Sequence, residues 1–145
     1  MQSSKKSGCI FCHALEASDQ ESLIIVRGKL SFIILNRYPY TNGHLMVVPY
    51  QHASTLDELD ADTRCEMMEL LNTSLVVLKG VYHPDGFNLG GNIGEAAGAG
   101  VADHIHLHVL PRWMGDTNFM TSVSGTRILP ETVEESWRRI RDAWK

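Results

Sequence analysis

Three histidines alternate with apolar residues in the segment His104-Ile105-His106-Leu107-His108. Such strict alternation is typical of a β-strand that buries one face, so we expect the three imidazoles on one side and the apolar residues on the core side. Each imidazole brings two polar nitrogens that need partners, and packing alone therefore does not account for the row. The alternative is a polar strand face that is exposed to solvent.

The spacing of these histidines argues against one metal ion that binds all three. At about 3.3 Å per residue, the backbones of His104 and His108 are about 13 Å apart. A zinc–nitrogen bond, by contrast, is only about 2 Å long. One ion can bind two histidines at positions i and i+2. We therefore expect part of the row to bind a metal and part to take part in other chemistry.

Two cysteines stand near the N-terminus in the sequence Cys9-Ile10-Phe11-Cys12. The CxxC spacing lets both thiolates face one metal ion. A cytosolic CxxC pair can instead be redox-active, although such pairs accompany a βαβ pattern that is not visible here. The metal hypothesis depends on two further ligands. His52 follows the third predicted strand. Considered by itself, a histidine in such a position is more often a surface loop residue than a metal ligand.

Short apolar runs predict the strands that position these residues. Runs rich in Ile, Val and Phe at 23–27 and 30–35 predict a β-hairpin, and residues 44–48 predict a third strand that ends at Pro49. Residues 87–92 predict a fourth strand. Its glycines indicate close approach by a ligand or by another segment of backbone.

Two helices complete the predicted fold. Asp60 is suited to cap a long helix that runs to about Tyr82 and carries an apolar stripe. A last helix is predicted from Pro130 to Lys145. Strands around one long helix, with a second helix at the C-terminus, indicate an α+β fold with a mostly antiparallel sheet.

Length and composition exclude several classes of protein. A chain of 145 residues predicts one domain over residues 1–145, with a polar lead-in at 1–8 that we expect to be disordered. The net charge of −4 argues against a protein that binds nucleic-acid backbones. No apolar run approaches the roughly 18 residues that span a membrane. Three cysteines and no visible export signal favour the cytoplasm and reduced thiols.

The histidine row, followed by two apolar residues and Pro111, resembles the signature of the histidine triad (HIT) family of nucleotide hydrolases and transferases. Residues 36–49 (NRYPYTNGHLMVVP) resemble the family's first nucleotide-binding segment, and residues 92–100 (NIGEAAGAG) resemble its glycine-rich approach to the triad. Residues 112–120 (RWMGDTNFM) are similar to the branch with bacterial diadenosine tetraphosphate phosphorylases. The resemblance covers about residues 9 to 120 and implies a HIT-like fold.

The resemblance implies a structural zinc ion and a covalent mechanism. In zinc-bearing members, the ligands that complete a pair like Cys9 and Cys12 map onto His52 and His104. A closed Cys2His2 site leaves no position for water, so such a zinc would be structural. His106 would attack the α-phosphorus of a nucleotide, while its other nitrogen donates to a backbone carbonyl. His108 would bind phosphate or help to protonate the leaving group.

The resemblance also implies which residues bind the nucleotide. Asn36 and Asn92 map onto positions that contact ribose and phosphate. His44 is either a turn histidine or, as the resemblance implies, a pocket residue. The loop from Gly94 can form an anion-binding nest or a plain flexible turn. The amides expected to hold phosphate oxygens belong to Ala99, Gly100, Val101 and Ala102. The base is hypothesised to lie between Phe32 and Ile34.

One position departs from several eukaryotic members of the family, which have a glutamine four residues before the first triad histidine. Here that residue is Gly100, and the loop is one residue longer. The phosphorylase-like branch shares the longer loop. Family members are commonly dimers with helices at the interface, which implies a homodimer.

The leading hypothesis is an enzyme that cleaves dinucleoside polyphosphates through a nucleotidyl intermediate on His106. The acceptor is left open between inorganic phosphate and water. A related possibility is the hydrolysis of nucleoside phosphoramidates. Two alternatives come from other classes: a nucleotide-binding scaffold without turnover, and a metal oxidoreductase that uses the histidine row.

Overall fold

A five-stranded antiparallel sheet organises the described part of the chain. The computed structural model describes residues 8–39, 41–99, 104–116 and 131–144. Within these ranges the sheet has the order β1-β2-β3-β5-β4. Its strands are β1 (Ile24–Arg27), β2 (Ser31–Leu35), β3 (Leu45–Pro49), β4 (Gly86–Gly90) and β5 (Leu107–Arg112). The predicted α+β fold with an antiparallel sheet is confirmed.

Four α-helices accompany the sheet in the described ranges. They are α1 (Ile10–Ala14), α2 (Asp19–Ser22), α3 (Ala61–Tyr82) and α4 (Val133–Ala143). The Asp60 side chain accepts a hydrogen bond of 2.8 Å from the amide of Thr63 at the start of α3, which confirms the predicted cap. The start of α4 is capped reciprocally by Thr132 and Glu135. None of the described helices is long and apolar enough to cross a membrane.

Strands β2 and β3 are buried on both faces, and for this reason residues 32–35 and 45–48 are apolar at consecutive positions rather than at alternate ones. One face packs against α3 and α4, where Met67, Leu78 and Ile140 are buried. The other face packs against the N-terminal segment. Its buried residues are Cys9, Phe11, Cys12, Ile24, Phe32, Ile34, Met46 and Val48.

The short helix α1 was not predicted, although it holds one side of the site. Five residues are too few for a clear helical period. The segment is fixed by packing instead, because Phe11 is 2% exposed against the sheet. Cys9 caps the start of this helix and Cys12 is its third residue, and this spacing of three positions directs both side chains to the same side.

The histidine strand begins later than predicted. The alternation suggested a strand from His104, whereas β5 starts at Leu107. The amide of Ile105 donates to the carbonyl of Ala53 (2.7 Å), in the loop after β3, and not to a neighbouring strand. The first two histidines therefore lie just before the ladder, while Ile105 is still buried on the core side.

The fourth strand ends at Gly90, before the predicted end at Asn92. A Cβ atom on Gly91 would lie 2.8 Å from the carbonyl oxygen of His106. Close approach between two backbone segments thus requires glycine here, as the strand glycines indicated. The approach places the start of the glycine-rich loop next to the histidine row.

Candidate active site and metal centre

Cys9, Cys12, His52 and His104 form a cluster that could hold a metal ion. One ligand atom from each residue lies within 4.8 Å of the others. Cys9 Sγ is 3.3 Å from His104 Nδ1, and Cys12 Sγ is 3.5 Å from His52 Nδ1 and 3.8 Å from His104 Nδ1. The structure therefore brings together the four residues that the resemblance implied as ligands.

The spacing of this cluster fits a tetrahedral ion. Bonds of about 2.3 Å to sulfur and about 2.0 Å to nitrogen place those two ligand atoms about 3.5 Å apart in a tetrahedron. His104 Nε2 donates to the carbonyl of Pro49 (2.9 Å), which leaves Nδ1 with a lone pair toward the thiols. Both cysteines and His104 are buried, so the site would be closed to solvent.

His106 is held in one tautomer by the backbone. Its Nδ1 lies 3.0 Å from the carbonyl oxygen of His104. Since a carbonyl only accepts, Nδ1 carries the proton and Nε2 retains a lone pair. Burial lowers the pKa of His106, and the hydrogen bond to His104 opposes that shift only in part. The imidazole is therefore neutral at pH 7, the form that can act as a nucleophile.

His108 belongs to a chain of hydrogen bonds that starts at Asn36. The amide of Tyr38 donates to Asn36 Oδ1 (2.9 Å), so the Asn36 NH2 group faces His44 Nδ1 at 3.3 Å. His44 Nε2 then donates to His108 Nδ1 (2.8 Å). In the neutral ring of His108 the proton consequently lies on Nε2. Burial lowers the pKa of His108, and the nearby His106 lowers it further.

A cavity of about 540 Å³ opens beside these histidines. The predicted site residues that line it are Asn36, His44, Asn92, His106 and His108. Phe11 and Met46 supply part of its apolar wall. Phe32 and Ile34, hypothesised to sandwich a base, are not among the residues that line this cavity and instead pack under the N-terminal segment.

The glycine-rich loop contributes Gly98 to the cavity wall. Asn92 Nδ2 donates to the carbonyl of Gly98 (3.4 Å), and the Ala99 amide donates to the carbonyl of Gly94 (3.3 Å). Ala99 thus bonds within the loop and is not among the residues that line the cavity. Gly100, Val101 and Ala102, also predicted to bind phosphate, lie outside the described residues.

Sequence reasoning missed Asn88, Tyr38 and Ile10, which also line the cavity. Tyr38 and Ile10 are strongly exposed for apolar side chains. Asn88 lies on the edge strand β4, and its side chain accepts a hydrogen bond from Arg112. The signal that could have found Asn88 is a polar asparagine within a predicted strand that is otherwise apolar or glycine.

Known proteins are similar to this chain in sequence and in fold. A family model described as the HIT domain matches residues 17–114. The chain is 42% identical over 134 residues to the AP-4-A phosphorylase of Mycobacterium tuberculosis H37Rv, covering 92% of this chain and 69% of that protein. It is 30% identical over 104 residues to the adenosine 5'-monophosphoramidase of Schizosaccharomyces pombe, covering 72% and 74% of the two chains.

Among solved structures, a Zn-bound histidine triad family protein from Mycobacterium smegmatis is similar, with a TM-score of 0.75 and 31% identity. The match covers 94% of this chain and 93% of that one. A hypothetical histidine triad nucleotide-binding protein from Sulfolobus tokodaii also has a TM-score of 0.75, with 29% identity. That match covers 93% of this chain and 91% of the other.

Proposed function

Because the chain belongs to the histidine triad (HIT) family, we propose that it cleaves dinucleoside polyphosphates of the diadenosine tetraphosphate type through a nucleotidyl group carried by His106. The observation that carries the proposal is the fixed tautomer of His106, which leaves Nε2 unprotonated on a residue that lines the cavity. The similarity to the AP-4-A phosphorylase supports the class of substrate.

In the first proposed step, the lone pair on His106 Nε2 attacks the α-phosphorus. A P–N bond forms, the P–O bond to the leaving polyphosphate breaks, and its electron pair departs with the leaving oxygen. His108 Nε2–H donates a hydrogen bond to a phosphate oxygen as charge builds. The Nδ1–H bond of His106 stabilises the positive charge that the ring gains.

In the second step, an oxygen of inorganic phosphate or water attacks the same phosphorus. The P–N bond breaks, its electron pair returns to His106 Nε2, and the acceptor loses a proton to solvent or to a neighbouring base. Phosphate yields ADP, whereas water yields AMP. The similarity over most of the chain to a phosphorylase favours phosphate as the acceptor.

The cavity wall suggests how the nucleotide is held. Ile10 and Phe11 offer an apolar surface for the base next to His106. Asn36 and Asn92 are proposed to contact ribose and phosphate from the same wall. The loop that continues through residues 99–102 is proposed to hold the non-bridging oxygens.

We propose that the cluster of Cys9, Cys12, His52 and His104 binds Zn²⁺ with a structural role. The ion would tie α1 to the segment that carries the nucleophile, because His104 is both a ligand and the residue whose carbonyl orients His106. A reducing cytoplasmic location is consistent with thiols that must stay reduced to bind the metal.

A homodimer is also proposed. Met68 and Val76 lie two turns apart on α3 and are 56% and 63% exposed. Apolar side chains exposed in this way suit an interface between two copies of the helix.

The test is an assay with diadenosine tetraphosphate, with and without inorganic phosphate. ADP and ATP that appear only with phosphate would establish a phosphorylase, and AMP and ATP without phosphate would establish a hydrolase. No turnover in either condition would overturn the proposal, and binding of the substrate without turnover would favour a nucleotide-binding scaffold.

A second candidate activity is the hydrolysis of nucleoside phosphoramidates, which the similarity to the Schizosaccharomyces pombe monophosphoramidase favours. The same attack by His106 would break a P–N bond instead of a P–O bond. A kcat/KM for adenosine 5'-phosphoramidate far above that for diadenosine tetraphosphate would make this the main activity.

A further inference from the structure

Asn88 lines the cavity from the edge strand β4, and its side chain is hydrogen-bonded to Arg112 on the neighbouring strand β5. Arg112 Nη1 donates to Asn88 Oδ1 over 2.7 Å. The same guanidinium donates from Nε and Nη2 to the two carboxylate oxygens of Asp116, over 2.6 and 2.8 Å. The carboxamide of Asn88 is therefore fixed by a planar, two-pronged ion pair.

This arrangement has a direct consequence for hydrogen bonding in the cavity. The hydrogen bond from Arg112 fixes which end of the carboxamide is Oδ1, so the NH2 group at the other end can donate to a ligand. It suits an acceptor such as a phosphate oxygen or a ribose hydroxyl. Asn88 is itself exposed, so its side chain is accessible to a ligand.

The strand register gives the position of Asn88 relative to the nucleophile. Gly90 is opposite His108 in the β4–β5 pair, and Asn88 is opposite Leu110. Asn88 is therefore two residues beyond the position opposite His108, on the same face of the sheet and about 7 Å further along the strands. Phe11 contacts the rings of His104 and His106, at the other end of the histidine row.

The cavity therefore has two ends of different chemistry. The end at Ile10 and Phe11 is apolar and suits the base of the nucleotide that is transferred to His106. The end at Asn88 lies beyond His108, and there a polar carboxamide stands beside the apolar side chains of Leu89 and Leu110. In an in-line displacement the leaving group departs on the side of the α-phosphorus opposite His106 Nε2. With the nucleoside at the Phe11 end, the part of the cavity that remains for the leaving group includes Asn88.

We infer that Asn88, held by Arg112 and Asp116, binds the departing half of the substrate, namely the phosphates and ribose beyond the α-phosphorus. The inference rests on the proposed function and adds the subsite that distinguishes a dinucleotide from a smaller nucleotide. An acceptor phosphate enters along the line by which the leaving group departs, so Asn88 also contacts the acceptor.

The experiment compares Asn88→Ala with wild-type protein on two substrates that share the adenylyl group. Diadenosine tetraphosphate has a large leaving group, and adenosine 5'-phosphoramidate has a small one. Loss of one donor is expected to lower kcat/KM for diadenosine tetraphosphate about tenfold, with a loss for the phosphoramidate that is several times smaller. Asn88→Asp, which replaces the donor with a carboxylate, is expected to lower kcat/KM for diadenosine tetraphosphate further than Asn88→Ala does.

Arg112→Lys tests the positioning role, because lysine cannot reproduce the two-pronged contact. As with Asn88→Ala, its kcat/KM is expected to fall more for diadenosine tetraphosphate than for adenosine 5'-phosphoramidate. Gln20→Ala removes an exposed carboxamide on α2, outside the cavity, and is expected to match wild type on both substrates. Equal losses on both substrates, or no loss, would overturn the inference.

Affinities for AMP and ATP, measured by calorimetry, separate this inference from the proposed function. They do not depend on turnover. Asn88→Ala is expected to weaken ATP several-fold and to leave AMP nearly unchanged, since only ATP has phosphates beyond the α position. If wild-type protein turned over neither substrate, the proposed function would fall, and the ATP result alone would decide the role of Asn88. Equal weakening of both ligands would contradict it.

Discussion

His44 Nε2 and His108 Nδ1 lie 2.8 Å apart, so the residue that precedes β3 is bonded directly to the last of the three histidines, on β5. Asn36 contacts the other ring nitrogen of His44. Gly43 keeps this turn in place, because its φ is +77° and a Cβ there would lie 2.8 Å from the Tyr82 ring. The tautomer of His108 is thus set by residues remote in sequence.

Replacing His44 should therefore impair catalysis more than binding. His44→Ala removes the donor that keeps the His108 proton on Nε2, and we expect kcat to fall roughly ten- to a hundredfold with little change in KM. His44→Gln retains an N–H donor and should recover part of the rate. Steady-state kinetics on diadenosine tetraphosphate provide the measurement.

His13→Ala is the matched control, because His13 is exposed and lies on α1 away from the cavity. It should behave as wild type. A His44→Ala variant with unchanged kcat, or with a raised KM alone, would show that the bond to His108 has no role in the chemical step.

Loss of the nucleophile should be far more severe. His106→Ala removes the only proposed acceptor of the nucleotidyl group, so turnover should fall by roughly a thousandfold or more. In wild-type protein quenched during turnover, intact mass spectrometry should detect an adenylyl adduct that the variant lacks. Substantial activity in His106→Ala, or an adduct on another residue, would contradict the mechanism.

Sequence patterns predicted the strands, the two longer helices and the histidine row because period-2 and period-3.6 patterns report directly on burial. They predicted neither the short helices α1 and α2 nor the contact partners. Phe32 and Ile34 belong to a strand that is apolar throughout, and only the packing of Phe11 shows that their face of β2 is covered. The bond of His44 to His108 and that of Arg112 to Asn88 depend on strand register, which one sequence does not contain.

The metal cluster shows the same division between local and long-range information. The CxxC spacing indicated two ligands, whereas the other two, His52 and His104, were implied by the family resemblance alone. The structure places them beside the thiols through the Ala53–Ile105 and Pro49–His104 hydrogen bonds. These contacts join residues more than fifty positions apart, and no local pattern encodes them.

The cluster predicts that Cys12→Ser removes bound metal. Serine is a poor zinc ligand, so the purified variant should contain much less than one equivalent of zinc, whereas wild type should contain about one. Unfolding free energy should also fall by several kcal/mol, since metal binding contributes to folding. Elemental analysis and chemical denaturation are the two measurements.

Cys65→Ser is the control for any general effect of thiol loss, because Cys65 is exposed on α3 and lies outside the cluster. Its zinc content and stability should equal those of wild type. Full zinc occupancy in Cys12→Ser would exclude this cluster as the metal site.

The exposed side of α3 predicts that Val76→Glu disrupts the proposed homodimer. A carboxylate at an apolar interface is desolvated without a partner, which is unfavourable by several kcal/mol. Analytical ultracentrifugation should give a dimer for wild type and a monomer for the variant. Ala17→Glu adds the same charge to an exposed residue away from α3 and should stay dimeric. A monomeric wild type would overturn the proposal.

Glu131 joins α4 to the end of α3 and should make stability dependent on pH. Its carboxylate accepts from Ser136 Oγ (2.6 Å) and Arg139 Nη1 (2.7 Å) and also bonds Tyr82 Oη. Burial opposes ionisation, but the hydrogen bonds from Ser136, Tyr82 and Arg139 outweigh it and hold the pKa of Glu131 below its usual value. The pKa of Tyr82 is raised by burial and by this carboxylate.

Since the pKa of Glu131 is lower in the folded state, the unfolded chain binds the extra proton first as the pH falls. The stabilisation is complete above the unfolded pKa of about 4.3 and is lost as the pH falls through the lower, folded value.

Glu131→Gln should lower the unfolding free energy by about 1–2 kcal/mol at pH 7 and by less at pH 3. Glu134→Gln, which changes an exposed residue on the same helix, should have little effect at either pH. Urea denaturation at the two pH values is the measurement, and an equal loss for Glu131→Gln at both would show that its ionisation does not stabilise the fold.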